Sequence, residues 1–364
     1  MTKKNPINYF RVFFFLFLSI ILYKKQFFLS LYPWLLLWTP FREETMKAWR
    51  KYAPINNAIV YPLRPIPEIQ AVDYSIENLI QASEGFTRPV VIRGLYNNSR
   101  GVKYWNSRNY LPDAFGDDIV IPVVKDATLG TLQDEREIES FRTSFNRVYD
   151  SEYSKEYLFF PAKSRYSFKG VTPEDAIRLE KRGNEIIKRD FDLNLIRPNL
   201  GNDKNTNFMT GQYVIGKSPE TDNPLTVGTD FHCAGANNWF IQVVGKKRWE
   251  FLSPKYSAYL WPLKGGLVNF WNSNENMARD SVHLPREFVD LYPGDVLLNP
   301  PWQWHKIVNY PGFTIGVPIR ELNGPNTLTN NLPFGLLIST NIFLDKFGLS
   351  LGGFPPPSAA TEHE

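Results

Sequence analysis

Cysteine is nearly absent. Cys233 is the only one in 364 residues, which excludes an intrachain disulfide framework and any cysteine-rich zinc site. Histidine is scarce too, at four, so a histidine-based metal site has few candidates. A charge excess is also missing from most of the chain. The formal net charge is +4, but residues 1–50 hold eight basic side chains (Lys3, Lys4, Arg11, Lys24, Lys25, Arg42, Lys47, Arg50) against Glu43 and Glu44. The remainder carries 33 basic and 35 acidic residues. A body so close to neutral lacks the basic face of a nucleic-acid binder, so no nucleic-acid partner is expected. Low-complexity bulk and internal repeats are missing as well. The 43% hydrophobic and 15% aromatic content belongs to a folded chain of one large domain or two ordinary ones.

Long apolar runs occur only at the start. Residues 12–23 form one and residues 27–38 a second, broken by Pro33 and separated by Lys24, Lys25 and Gln26. Each is shorter than the roughly 20 residues a spanning helix needs. Taken together, with lysines reaching to the interface, residues 10–38 suffice, and Tyr32, Trp34 and Trp38 suit an interfacial aromatic belt. The rival reading is a cleaved signal peptide, but no small-residue cleavage site follows Tyr23. Residues 1–40 are therefore expected to be an N-terminal membrane anchor, single-pass or signal-anchor. Basic residues on both flanks leave its orientation and organelle open. Residues 41–70 read as a stalk and a proline-containing linker.

Beyond the linker, residues 75–83 have the pattern of a short helix and residues 88–95 that of a strand closing on Gly94. Residues 105–115 read as a helix, 118–124 as a strand, 131–149 as a charged surface helix and 156–160 as a strand. Thr172 followed by Glu174 and Asp175 suits a helix start, giving a helix over residues 173–188 within a polar stretch, 163–205. From Gln212 to Ile319, short alternating strands dominate, with turn residues between them. That pattern suits a jelly roll.

Two stretches carry chemistry. One is Thr229-Asp230-Phe231-His232-Cys233-Ala234, followed by an apolar strand and a Gly245-Lys246-Lys247 corner. The other runs from Pro293-Gly294-Asp295 to Pro300-Pro301-Trp302-Gln303-Trp304-His305. Together they resemble the two metal-bearing segments of the JmjC-like cupins (cupin-8 type, similar to asparaginyl hydroxylases), which are Fe(II)- and 2-oxoglutarate-dependent oxygenases. The resemblance covers residues 88–320 and implies a mainly β domain with flanking helices, a double-stranded β-helix over residues 71–325. It also implies that residues 163–205 are an insertion near the barrel mouth. Residues 326–364 would be an apolar segment, able to dock or to pair with a second copy as a homodimer, and a disordered tail. Iron would bind His232 and His305. 2-Oxoglutarate would be held by Lys247, Thr229 and Asn238, with Tyr157 as the matching tyrosine. Protein side chains are the common substrates of such relatives.

One element departs from the pattern. The family's metal-binding acid is Ala234 here. Asp230, two residues before His232, would share its strand face by simple alternation, while Cys233 points the other way. The vacancy leaves several readings: a degenerate two-histidine hydroxylase-type site, an inactive binding module, a halogenase-like centre with halide at the vacant position, or an acid donated by another loop. Lys247 is either a solvated turn residue or a buried ammonium that requires an anion. Trp302 and Trp304 either line the substrate mouth or pack the barrel. His283 and His363 are not expected to bind metal. Val317-Pro318 stands where related hydroxylases carry a polar residue near the co-substrate.

Deleting residues 1–40 should move the chain from the membrane fraction to the supernatant as a monodisperse species in gel filtration. Aggregation instead would mean that those residues cover part of the folded domain.

Overall fold

The computed structural model describes residues 44–335 apart from 45, 48–49, 52, 57–58, 127–135, 153, 162–170, 199–207, 220–227, 261–262, 265–269, 273–282, 322–323 and 332–333. The expected membrane anchor and the segment after residue 335 lie outside the described residues. Among those described, no helix is long and apolar enough to cross a membrane.

Strands β1 (Arg64–Pro65), β2 (Glu68–Gln70), β3 (Val90–Arg93), β4 (Val120–Val124), β5 (Arg136–Ser140) and β6 (Ser154–Pro161) lead into the barrel. The barrel starts with β7 (Phe208–Ser218), β8 (Gly228–Ala234), β9 (Asn237–Val244) and β10 (Lys247–Leu252). After the short β11 (Leu263–Lys264) and β12 (Phe270–Asn272), it closes with β13 (Arg286–Leu291), β14 (Val296–Asn299), β15 (Trp304–Asn309) and β16 (Gly312–Glu321). One sheet has the order β1-β13-β10-β15-β8-β12-β11, the other β2-β3-β14-β9-β16-β7-β6-β4-β5. From β7 to β10 and again from β13 to β16 the chain steps from one sheet to the other with each strand. That interleaving is the double-stranded β-helix.

Period-2 alternation sorts the side chains. Along the larger sheet, Val90, Ile92, Tyr213, Ile215, Trp239, Ile241, Val296, Leu298, Ile315, Val317 and Ile319 join one core cluster with the helices behind it. The intervening Val91, Phe240 and Leu297 pack with Trp249, Phe251, Val289, Leu291 and Ile307 of the smaller sheet. This inner cluster fills part of the space between the sheets. The rest is the cavity described below. On the far side of the smaller sheet, Phe231, Cys233, Leu252, Trp302, Trp304 and Phe334 form a third cluster.

Several expected elements differ in detail. The helix expected over residues 105–115 is two helices, Arg100–Tyr104 and Tyr110–Phe115, with Trp105 at the break. The Trp105 indole N–H donates to the buried Asp190 carboxylate at 2.7 Å, which fixes the break in place. The charged helix expected from residue 131 begins only at Phe141, because Arg136–Ser140 pairs antiparallel with β4. The helix of the polar stretch runs Pro173–Asp190, capped by Thr172 Oγ1, which accepts from the Asp175 amide. Its Leu179, Ile186 and Ile187 pack in the core behind the larger sheet. It therefore braces the outer face rather than the barrel mouth.

The Pro293-Gly294-Asp295 corner is a structural clasp. Gly294 adopts φ +93°, and a Cβ there would meet Asn97 Oδ1 at 2.1 Å, so no other residue fits. Asp295 is 4% exposed. Its carboxylate accepts from Arg93 Nη1 at 2.7 Å and from the backbone amides of Gly94 and Tyr292 at 2.9 and 3.0 Å. Substituting Asp295→Ala leaves two amide donors unpaired and Arg93 with Glu68 as its remaining carboxylate partner, and should lower the unfolding free energy by about 3 kcal/mol in urea titration.

Candidate functional site

His232 on β8 and His305 on β15 are directly opposite in register. Their ring centroids are 4.1 Å apart. The same pairing then skips: His305 faces His232, but Ile307 faces Thr229. Two steps on β15 therefore match three on β8, which is a β-bulge with its extra residue between Thr229 and His232. The bulge overrides simple alternation. It turns Thr229 into the same cavity as His232 and takes Asp230 out of it. The Asp230 carboxylate instead accepts from the Phe231 amide at 3.0 Å.

Both imidazoles are oriented by backbone carbonyls. Nδ1 of His232 meets the Asp230 carbonyl at 2.8 Å, and Nδ1 of His305 meets the Gln303 carbonyl at 2.9 Å. A carbonyl can only accept, so each Nδ1 carries the proton and each Nε2 presents a lone pair. Nε2 of His305 is buried with no hydrogen-bond partner, and Trp249 stacks on its ring at 5.1 Å. Burial pushes the His232 imidazole down to about 4, helped by the positive field of Arg320 and opposed by the Asp230 carbonyl. His305 is pushed well below the ordinary histidine range by burial, by His232 and by Arg320. Both rings are neutral at neutral pH.

Lys247 opens β10, immediately after the turn at Gly245. Gly245 has φ +70°, and its missing Cβ leaves room for the Phe313 carbonyl, which would otherwise lie 2.4 Å away. That close turn carries Lys246 to the surface side, where it pairs with Asp290, and sends Lys247 inward. Lys247 is fully buried. It donates to the neutral Asn309 side chain, and its Nζ lies 5.7 Å from the centre of the Tyr157 ring. Burial depresses the ammonium to about 7, far below an ordinary lysine. Of the two sequence readings of Lys247, the buried one is the structure's.

His232, His305, Lys247, Thr229, Asn238 and Tyr157 all line one cavity between the two sheets, with about 40 Å³ open to the centre of a water molecule. Thr229 Oγ1, Asn238 Oδ1 and Asn309 Nδ2 are buried there or beside it without partners. Apolar walls come from Phe159, Val214, Phe240, Trp249, Ile307 and Pro318. Arg320 completes the lining, and sequence reasoning missed it. Val317-Pro318 had suggested that this wall had lost its polar group. Pro318 does face the cavity, but Arg320, two residues further on the same face of β16, supplies a charge. The signal was available: Val317 and Ile319 are outward core residues, so alternation puts Arg320 inside. Asn309 and Asn299, which meet Lys247 and His305, were missed for want of any local pattern.

Other expectations fall outside the cavity. Trp302 and Trp304 do not line it; both are fully buried, donating to the Thr327 carbonyl at 2.6 Å and to Ser257 Oγ at 2.8 Å. They pack the barrel. His283 contacts the Ile59 carbonyl at 3.2 Å, away from the site. Ala234 is engaged through its backbone, its carbonyl accepting from the Trp302 amide at 2.7 Å.

The cavity lining, among the described residues, holds two cationic side chains and no carboxylate. Among the described residues, no group of three or more His, Cys, Asp or Glu side chains could hold a metal ion. Neutral nitrogen donors and a lone ammonium suit a small anion well. They suit a dication poorly, because no carboxylate among the described lining residues balances its charge. The residues present therefore do not reproduce a three-ligand iron centre.

A jelly-roll barrel built from two interleaved sheets is the architecture of the cupins. The family model for the cupin-like domain matches residues 81–319, well over half of the chain, and the chain belongs to that family. Its members generally depend on iron and 2-oxoglutarate. No curated protein matches the sequence closely enough to identify a nearer relative.

Lys247 also gives a pH signature. Its pKa is near 7 folded and near the ordinary 10.5 unfolded, so between those values the unfolded chain binds more protons. Stability from this group is therefore lowest below pH 7 and rises as pH climbs toward 10.5. Lys247→Met should be more stable than the parent by on the order of 4 kcal/mol at pH 6, and that gap should close by pH 10 in urea titrations. A pH-independent gap would mean the ammonium is not desolvated.

Proposed function

We propose that this chain is a membrane-anchored, 2-oxoglutarate-oxygenase-like cupin whose barrel binds 2-oxoglutarate or a dicarboxylate of its size. The observation that carries this reading is a fully buried Lys247 ammonium, held by a neutral amide. A cation in that setting either gives up its proton or meets an anion. In the bound state Lys247 pairs with the distal carboxylate, while the Thr229 hydroxyl and the Tyr157 phenol donate to the same group. Burial raises the Tyr157 phenol above its ordinary value, so it stays protonated and able to donate. The apolar walls exclude water and leave the ligand's chain nothing to hydrogen-bond along its length. His232 and His305 bound the inner end.

A second reading rests on the two oriented imidazoles. With Nδ1 tied to carbonyls and Nε2 of His305 unpartnered, the pair keeps the tautomers that a metal ligand needs. Iron held by His232 and His305 would then need a third donor from the co-substrate or from a halide at the Ala234 position.

Calorimetry tests the first reading. 2-Oxoglutarate should bind with proton uptake above pH 7, and its affinity should fall by up to about tenfold per pH unit from there. Binding unaffected by Lys247→Met would defeat it. For the second reading, anaerobic Fe(II) titration with 2-oxoglutarate should give a visible charge-transfer band. Ala234→Asp should then show 2-oxoglutarate turnover that the parent lacks, if the missing acid is the one defect.

A further inference from the structure

Residues 41–70 read in sequence as a stalk and linker, yet the described part of them does not stand off from the domain. Met46 is fully buried, in the same cluster as Phe231, Cys233, Leu252, Trp302 and Trp304 on the outer side of the smaller sheet. Residues 46, 47 and 50 are helical, and a helix places residues four apart on one face. Arg50 accordingly follows Met46 onto the domain. It donates through Nε and Nη2 to the Ala258 carbonyl at 3.3 and 3.2 Å, and lies over the Tyr259 ring. The Tyr259 hydroxyl donates back to the Ala53 carbonyl at 3.0 Å, and Ile55 packs against the same cluster. Further on, the Ile59 carbonyl meets His283, and Arg64–Pro65 joins the smaller sheet as β1 beside β13. From Met46 to the first strand, the chain is fastened to the domain every few residues.

That attachment fixes which side of the domain can meet a membrane. The expected anchor ends at residue 40, and Met46 follows six residues later. Fully extended, that stretch reaches about 20 Å, against a diameter of roughly 50 Å for a folded body of this length. The side around Met46 is therefore the near side, and the helices covering the larger sheet are turned away. What the near side exposes suits lipid headgroups. Lys51 and Lys255 are exposed, one next to Arg50 and the other in the turn that Arg50 grips. Lys47 is paired with Glu44 at 2.9 Å, so those two add no net charge. Ile59 and Val60 are exposed apolar side chains beside His283, and the adjoining Leu284 belongs to the Met46 cluster. Ammonium groups attract an anionic membrane surface, and neighbouring apolar side chains gain by entering its interface.

We infer that the outer side of the smaller sheet, under residues 44–60, docks on anionic headgroups of the membrane that holds the anchor, with Lys51 and Lys255 meeting the headgroup charge and Ile59 and Val60 entering the interface. This inference rests on the membrane-anchored reading above and goes beyond it by fixing the orientation of the domain. The barrel lies against the bilayer instead of swinging on a stalk, and the helix Pro173–Asp190 faces the water. The docked segment also covers the back of the strands that carry the imidazoles, because Cys233 and Trp304, the neighbours of His232 and His305, pack in the Met46 cluster.

The test uses the full-length chain in vesicles of phosphatidylcholine, with or without a share of phosphatidylserine. Cys233 is buried, so an introduced surface thiol takes an environment-sensitive fluorophore. One variant is Val60→Cys on the near side, where the native side chain is 65% exposed; the other is Ile177→Cys on the exposed side of the helix Pro173–Asp190. Nitroxide-bearing lipid should quench the Val60→Cys label, more strongly in the anionic vesicles, and leave the Ile177→Cys label unchanged. In the anionic vesicles, adding Lys51→Gln or Lys255→Gln should each lower the ratio of quenched to unquenched label about fivefold. The change of lipid tests the same charge effect with both lysines in place, so a poorly folding variant does not blunt it. Quenching at Val60→Cys that is equal in both lipids overturns the role of the lysines. No quenching of either label, in a chain that floats with the vesicles and resists carbonate extraction, overturns the docking and leaves the anchor intact. Quenching of the Ile177→Cys label overturns the orientation. A chain that fails to float with the vesicles overturns the anchor and the docking together.

Discussion

A lysine ammonium sealed inside a β-barrel is the constraint on which this site turns. Lys247 has no carboxylate in reach among the described cavity-lining residues, and its partner is a neutral amide. Removing such a group from water costs several kcal/mol unless it loses its proton or acquires an anion. The fold bears that cost at one position and surrounds it with unpartnered polar atoms on Thr229, Asn238 and Asn309. Those unpartnered atoms, close to the buried ammonium, are what the proposed ligand-binding role accounts for.

The scaffold holds this arrangement from outside the cavity. Asp295 gathers Arg93, Gly94 and Tyr292 at the corner before β14. Glu321, buried at the end of β16, accepts from the Trp239 indole at 3.0 Å and pairs with Arg197. Its neighbour on the strand is Arg320, so the clasp that fixes the end of β16 also fixes the guanidinium facing inward. The helix Pro173–Asp190 shields the outer face of the same sheet. A cavity between two sheets keeps its shape only when both outer faces are covered, and here both are.

Electrostatics and ancestry point in different directions at the inner end. On the resemblance to the iron oxygenases, the two imidazoles would be ligands and Ala234 would stand at the place of the acid, whereas the described lining carries Lys247 and Arg320 and no carboxylate. The facing of the two histidines is a matter of strand register, which does not depend on the side chain at 234. Charge balance does depend on it.

Much of this was legible in the chain. Alternation from β7 to β16 indicated the jelly roll, and the residues flanking His232 and His305 placed both on inward-facing strands. The resemblance to the family also picked out Lys247, Thr229 and Asn238 by their spacing from His232, and Tyr157 by its local Glu-Tyr-Leu pattern. Local sequence could not show that β8 bulges between Thr229 and His232, since a bulge exists only relative to the partner strand. It could not settle whether Lys247 was solvated or buried, a matter of the φ +70° turn at Gly245 packing against Phe313. Nor did it bring Arg320 to the imidazoles, which takes the pairing of β16 with β7 and β9 across more than seventy residues. Strand identity is set by side-chain period, which is local. Convergence of charges in one cavity is set by register between distant strands, and only the folded chain decides that.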